Sequence, residues 1–254
     1  MERELAKKGI VLRSQRTGSV NRLLSVLTEE GVIFVVSYGA AKGKKSVKAE
    51  LCAEGTFFLY YNPVRKQYSL RDLALESDHE TLRDELYRNY VSLFFCEVAL
   101  KMNGGDGKGF LSLLSSALFL LEKKGIPPSN VLIQYIWNLI DLCGLRPDLS
   151  ACPVCDRAYG EKEILGFSTQ LTAPCCLNCA TVKDDMLLPP GARRYLALTA
   201  SMDVVRAVEV PLNPEARTRI KRYLLRYAAL LSGGKLRTLE GGILQQMETN
   251  DLLK

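Results

Sequence analysis

Gly9-Ile-Val-Leu-Arg-Ser-Gln-Arg16, Arg22-Leu-Leu-Ser-Val-Leu-Thr28 and Gly31-Val-Ile-Phe-Val-Val-Ser-Tyr38 open the chain as short runs rich in β-branched and aromatic residues. Two more follow, Ala49-Glu-Leu-Cys-Ala-Glu-Gly-Thr-Phe-Phe-Leu-Tyr-Tyr61 and Gln67-Tyr-Ser-Leu-Arg-Asp-Leu73. Turn signals separate them: Thr17-Gly18-Ser19, Glu30-Gly31, Gly39 to Lys45 and Asn62-Pro63. Five short strands with no long helix between them suit a small barrel or sandwich. Five is the strand count of an oligonucleotide-binding (OB) fold, and a cradle-loop or SH3-like barrel shares these signals.

From Asp78 the hydrophobic period changes from strand to helix. Leu82, Leu86, Tyr90, Leu93, Phe94 and Val98 recur at helical spacing, and Phe110, Leu113, Leu114, Ala117, Leu118 and Leu121 do so again after a glycine-rich break. Pro127-Pro128 starts a helix that is apolar nearly all round, from Val131 to Cys143, which is the pattern of a helix buried between others. Gly144 and Pro147 stop it. Pro189-Pro190 and Pro214 open further helices, the last running to Gly233-Gly234. The expected organisation is α+β: a five-stranded barrel over residues 1–77, then a helical domain over 78–254 with a cysteine-rich insert at about 150–182.

A chain of 254 residues, 47% of them hydrophobic and 24% charged, can build a core without disulfides. Its apolar runs are too short to span a bilayer, and the charged start leads into no apolar stretch. A cytoplasmic protein with reduced thiols is expected. The formal charge of +6 is uneven. Residues 1–75 carry 13 Lys/Arg against 7 Asp/Glu, residues 76–149 carry 7 against 10, and the remainder carries 14 against 11. An excess concentrated in the barrel segment suits a polyanion-facing surface, although a solvated basic face has the same composition.

The sharpest local motif is Cys152-Pro-Val-Cys155, twenty residues, then Cys176-Leu-Asn-Cys179. Each Cys-x-x-Cys turn presents two thiolates to one side of an ion, and two such turns close a tetrahedral four-sulfur shell of the kind structural zinc adopts. A closed shell leaves no position for an activated water. An iron–sulfur cluster uses four cysteines too, and Cys175 with Cys179 is an alternative second pair. Cys52, Cys96 and Cys143 lie on apolar faces, as buried free thiols do.

Motifs for catalysis are lacking. The single histidine, His79, is expected to be a surface residue at a helix start, and Asp184-Asp185 to be exposed turn residues. Gly104-Gly-Asp-Gly-Lys108-Gly matches a phosphate loop in composition alone, since no apolar strand precedes it. A binding protein and not an enzyme is expected.

Lys42, Lys44, Lys45 and Lys48 form the densest basic stretch, in the loop Gly39-Ala-Ala-Lys-Gly-Lys-Lys-Ser-Val-Lys48, and Arg13, Arg16 and Arg22 on the first hairpin extend it. Such groups bind phosphates without reading sequence. Phe34, Tyr38, Tyr60, Tyr61 and Tyr68 are available to stack bases, although most suit core or cross-strand pairs. The last helix adds Arg217, Arg219, Lys221, Arg222 and Arg226 beside its apolar stripe, where a soluble outer face is expected.

Taken in order, the strands Gly9-Ile-Val-Leu-Arg13 and Leu23-Leu-Ser-Val-Leu-Thr-Glu29, the Gly-Ala-Ala-Lys-Gly-Lys-Lys-Ser loop, Leu142-Cys-Gly-Leu-Arg-Pro-Asp-Leu149 running to Cys152-x-x-Cys155, Phe167-Ser168 before Cys176-x-x-Cys179, and a basic helix leading to Gly-Gly-Lys-Leu-Arg-Thr-Leu239 resemble the bacterial RecO family of recombination mediators over nearly the whole chain. The resemblance implies an N-terminal OB-fold and a helical domain carrying a zinc ribbon with one structural zinc ion. It implies a mediator that binds single- and double-stranded DNA, anneals complementary strands, engages RecR and single-strand-binding protein, and indirectly serves RecA, near the nucleoid in the cytoplasm. Carried over by position, DNA contact falls on Arg13, Lys42, Lys44, Lys45 and Lys48, and the zinc ligands are Cys152, Cys155, Cys176 and Cys179. A protein-docking adaptor, with DNA contact secondary, is the alternative. The chain departs from the family pattern at Thr17-Gly18-Ser19, where an aromatic-Gly-Glu turn is usual. It also departs at Cys155-Asp156, where Cys-Gly is common, and at Thr172-Ala173-Pro174-Cys175, where a Gly-Gly pair usually precedes the third ligand.

Overall fold

A computed structural model describes residues 4–39, 49–102, 106–182 and 186–246. Five strands, β1 (Glu4–Thr17), β2 (Asn21–Thr28), β3 (Gly31–Ser37), β4 (Glu54–Asn62) and β5 (Gln67–Ser77), close into a barrel in the order β1-β2-β3-β5-β4. That order is the OB-fold's, with all neighbours antiparallel except the short β3–β5 pairing at Val35↔Tyr68 and Val36↔Ser69. The barrel expected from the strand count is therefore present, and the topology selects the OB-fold over the other small barrels.

Strand β1 makes closure possible. Its first half, Glu4 to Ile10, pairs with β4, and its second half, from Gly9 to Thr17, pairs with β2, so one strand serves two neighbours. A bulge between Val11 and Arg13 bends it between these tasks. Strand alternation sends Val11, Leu24, Val26, Val35, Phe57, Leu59 and Leu70 inward to form the barrel core. Ile10, Leu12 and Leu27 are buried as well. Strand alternation turns Ile10 and Leu27 outward, where they are covered by α1 (Leu86–Met102) on β1 and α2 (Gly107–Glu122) on β2. The helix α2 starts at a glycine for a reason of space. A Cβ on Gly107 would lie 2.4 Å from the Gly31 backbone nitrogen and 2.6 Å from the Glu29 carbonyl oxygen, so only glycine lets the helix meet the β2–β3 turn.

The change from strand to helix falls after Ser77, and the compact units divide between Glu122 and Lys123, with α1 and α2 in the barrel's unit. His79 departs from its expected surface position. It takes a left-handed backbone (φ 48°, ψ 38°) ahead of the 3-10 turn Glu80–Arg83, and its ring is buried.

The second unit is built around α3 (Pro128–Leu142), whose nearly uniform apolarity is explained by burial on most sides. The ribbon strands β6 (Leu165–Ser168) and β7 (Ala173–Cys176) follow, then α4 (Pro190–Thr199), α5 (Val204–Ala207), α6 (Pro214–Leu231), α7 (Arg237–Glu240) and α8 (Ile243–Gln246). Polar atoms on α3 are matched to the helices around it. Trp137 Nε1 donates to the Leu196 carbonyl at 3.0 Å, Gln134 Nε2 to the Tyr195 hydroxyl at 2.9 Å, and Arg217 Nε to Asn130 Oδ1 at 2.8 Å. Lys221, expected on the outer face of α6, is instead buried, while Arg219, Arg222 and Arg226 are exposed. The ribbon is seated by aromatics: Phe167 on β6 meets Tyr223 and Tyr227 of α6 edge-on, with ring centroids 6.2 and 5.7 Å away.

Candidate functional site

Two sites emerge, one in each unit. In the barrel, strand register decides which basic residues share a surface, because directly opposed residues on paired strands point to the same face. Arg13 is opposite Ser25, and Ser25 is opposite Phe34, so a cation, a small hydroxyl and an aromatic form one outward row across β1, β2 and β3. The next outward row is Gln15, Leu23 and Val36. Arg16 is opposite Arg22 on the other parity of the hairpin. The three arginines expected to extend a patch are thus split between two faces of β1 and β2. Arg13 and Arg16 are exposed, whereas Arg22 donates to Glu50 Oε1 at 3.0 Å. Lys42, Lys44, Lys45 and Lys48 lie outside the described residues, as do Asp184 and Asp185.

The aromatic candidates separate by environment. Tyr61 and Tyr68 pair with each other, with centroids 5.0 Å apart, and Arg71 covers the Tyr60 ring at 4.9 Å. Phe34 and Tyr38, by contrast, are 58% and 56% exposed. They are four residues apart in and just beyond β3, a separation of about 13 Å for extended chain. Phe58 is exposed too and was not singled out by sequence. It faces Asp72 across the β4–β5 pair, an acidic neighbour unsuited to a phosphate backbone.

In the second unit the sulfurs of Cys152, Cys155, Cys176 and Cys179 all lie within 4.8 Å of one another. Cys155 Sγ and Cys176 Sγ, one from each turn, are 3.9 Å apart. A tetrahedron with Zn–S near 2.3 Å has edges of about 3.8 Å, so the four sulfurs already have the spacing a metal ion requires. Local geometry produces this arrangement. Each Cys-x-x-Cys segment folds into a tight turn, with the Asp156 N–H donating to the Cys152 carbonyl at 2.8 Å and the Cys179 N–H to the Cys176 carbonyl at 3.0 Å. Asp156 takes φ 56° and Thr172 φ 48°, so these residues adopt the left-handed turn positions where glycine is common.

The four thiols are not alike: the surroundings favour thiolate at Cys152 and Cys176, whereas the hydrogen bond to Cys176, with burial, pushes Cys179 up to about 12. Burial opposes ionisation of Cys152, but N–H groups of Cys176, Val154 and Cys155 aim at its sulfur and bring it down to about 6. The Cys176 N–H to Cys152 Sγ distance is 3.5 Å. Cys175 behaves in the opposite way. Burial, and then the neighbouring sulfurs of Cys152, Cys176 and Cys155, push it up to about 11. On β7, Cys175 pairs with Gly166 and Cys176 with Leu165, and alternation turns the two side chains to opposite faces. Cys175 is thus the packed neighbour, and Cys176 belongs to the four-sulfur group.

His79 forms a third polar cluster that sequence reasoning missed. Its Nδ1 is 2.9 Å from Glu122 Oε2 and its Nε2 3.6 Å from Glu54 Oε2. Thr81 donates to Glu122 at 2.6 Å and Ser115 to Glu54 at 2.7 Å. Burial works against protonation of the imidazole, and the two carboxylates outweigh it, so the His79 pKa is raised. The cluster ties β4 to α2 and the 3-10 turn.

No helix among the described residues is long and apolar enough to cross a membrane. The family model described as "Recombination protein O C terminal" matches residues 83–240. Over its full length the chain is similar to the DNA repair protein RecO of Bacillus pumilus, at 27% identity covering 96% of this chain and 95% of that one. It is likewise similar to the RecO proteins of Bacillus velezensis, at 28% identity over 95% and 94% of the two chains, and Bacillus subtilis, at 26% over 95% and 94%. Barrel, helical unit and four-cysteine ribbon occur together in a chain matched end to end by these relatives: it belongs to the RecO family of DNA repair and recombination proteins.

Proposed function

We propose that this protein is a recombination mediator that binds single- and double-stranded DNA through its barrel, anneals complementary strands, and helps a recombinase load onto DNA coated with single-strand-binding protein. The carrying observation is the outward row Arg13–Ser25–Phe34, continued by exposed Tyr38, on the β1–β2–β3 side of an OB-type barrel. An exposed guanidinium and an exposed ring, two strands apart across the buried Ser25, suit a single strand, whose phosphates need a cation and whose unstacked bases need a flat apolar partner. Arg16 adds charge at the rim of the first hairpin, and Lys42, Lys44, Lys45 and Lys48 are proposed to add more. RecR, single-strand-binding protein and, indirectly, RecA are the proposed protein partners, in a cytoplasmic, nucleoid-associated setting.

The ribbon is proposed to hold one structural zinc ion on Cys152, Cys155, Cys176 and Cys179. Bound there, zinc would cross-link the two turns, and four sulfur ligands would leave no position for substrate. The protein is proposed to act by binding and without covalent chemistry. In support, its one histidine is enclosed between Glu54 and Glu122. A strand-annealing assay on oligonucleotides coated with single-strand-binding protein, with and without this chain, tests the proposal. Acceleration is expected, and no acceleration at any salt concentration would overturn it.

A further inference from the structure

Two thiols of the first unit, Cys52 and Cys96, belong to neither site. Cys52 and Cys96 come from different parts of the first unit, yet their sulfurs touch at 3.6 Å. Cys52 occupies a turn just before β4 with φ 66°, a left-handed conformation that a β-carbon makes costly. Two backbone hydrogen bonds hold the turn to β1: the Cys52 N–H donates to the Val11 carbonyl at 2.9 Å, and the Val11 N–H to the Ala53 carbonyl at 3.0 Å. Cys96 comes from the buried face of α1, one turn after Ser92. The contact therefore joins the barrel wall to the helix that covers it.

We propose that Cys52 and Cys96 are an oxidation site, forming a reversible disulfide when the protein meets a peroxide. The sulfurs must close from contact to a bond of about 2.05 Å, a displacement that side-chain rotation and small shifts of the Cys52 turn supply. The two thiols differ in the way such a pair requires. Both thiols are buried, Cys52 at 5% exposure and Cys96 at 1%, so only a small oxidant is suited to the pair, and Cys52, in the turn, is assigned the first contact. Contact with Cys96 lowers the Cys52 pKa against the effect of burial, helped by Ser92, His79 and Arg83, whereas contact with Cys52 and then burial hold the Cys96 thiol protonated. In the first step the Cys52 thiolate attacks one peroxide oxygen and the O–O bond breaks. Cys52 becomes the sulfenic acid, and the leaving hydroxide takes a proton to give water. In the second step the Cys96 sulfur attacks the sulfenic sulfur, loses its proton, and displaces the hydroxyl as a second water. Two thiols and one hydrogen peroxide thus give one disulfide and two waters. Any thiol reductant reverses the change by exchange.

The test uses the full-length, metal-loaded protein and hydrogen peroxide as the only oxidant. After peroxide treatment, free thiols are alkylated under denaturing conditions and the digest is read by mass spectrometry. A peptide pair joined through Cys52 and Cys96 is expected, absent after dithiothreitol, together with a rise of several degrees in the unfolding midpoint of the oxidised protein. In the Cys96→Ser variant, Cys52 should be trapped as sulfenic acid by dimedone. In the Cys52→Ser variant, Cys96 should remain a free thiol. Recovery of both Cys52 and Cys96 as alkylated thiols in the wild type, while Cys152, Cys155, Cys176 or Cys179 is oxidised, would overturn the proposal. That readout needs neither variant to fold, and it is separate from any assay of DNA binding.

Discussion

Arg16 on β1 stands directly opposite Arg22 on β2, and Glu50 holds Arg22 by a 3.0 Å contact. Two guanidinium groups facing each other across a hairpin repel. Glu50 offsets part of that repulsion, and a phosphate would offset more. Under the proposed DNA contact, Glu50 would compete with a phosphate for Arg22. Glu50→Gln is expected to tighten binding of an oligonucleotide and to steepen its salt dependence, whereas Arg16→Glu should weaken binding for any sequence and reduce the salt slope by about one. Titrations at several salt concentrations read both, and an unchanged slope in Arg16→Glu would remove Arg16 from the interface.

Phe34→Ala separates stacking from charge. Loss of one base–aromatic stack costs about 1–3 kcal/mol of single-strand affinity. Duplex affinity should change little, since paired bases present no free face. The ring is exposed, so the melting temperature should remain near the wild-type value. Equal losses for single and double strands would indicate that Phe34 acts on the barrel and not on a base.

Metal content should distinguish the adjacent cysteines of β7. Cys176→Ser is expected to lose the ion, while Cys175→Ser retains it and loses only packing around a fully buried side chain. Elemental analysis of the purified variants checks this. Retention in Cys176→Ser with loss in Cys175→Ser would reverse the ligand assignment.

The His79 cluster gives the barrel unit a pH window. The raised His79 pKa means that the folded state binds the proton more tightly than the unfolded chain. Its stabilisation is full below the ordinary value of 6.5 and is lost as pH rises through the raised value. Glu54 is lowered by His79 and Ser115 against the effect of burial, so its contribution is full above 4.5 and is lost as pH falls through the lowered value. Unfolding in denaturant should therefore show a plateau between these limits. His79→Gln should lose the decline on the alkaline side and cost about 1–3 kcal/mol near pH 6, from the carboxylates left without their partner. A parallel pH profile for the variant would exclude His79 as the source.

Much of the architecture was legible because it follows from local pattern. Alternation around Leu24, Val26 and Val35 announced strands, and the proline and glycine punctuation around α3 and α6 announced helices. The barrel's closure was less legible, since β3 meets β5 through only two residue pairs and β1 divides itself between two partners. The cluster of four cysteines could be read from spacing, and β-alternation puts Cys176, not Cys175, in it. His79 escaped because its partners Glu54 and Glu122 are distant in sequence, so acidic neighbours at 78 and 80 suggested an exposed turn. The aromatic candidates differ in environment, which spacing alone does not reveal. Only folding shows that Tyr60, Tyr61 and Tyr68 already have partners while Phe34 and Tyr38 face outward.

Phe167 meets Tyr223 and Tyr227 edge-on, and none of these three rings belongs to the four-cysteine group. Attachment and the proposed metal chelation therefore fall to different residues. A lineage could shed the thiols one by one and still carry a docked β6–β7 hairpin, because the rings that moor it to α6 are not the ligands. Under selection a metal held there is separable from the scaffold, and the open end of the hairpin, where Cys176 pairs with Leu165, is free to be rebuilt around something other than sulfur.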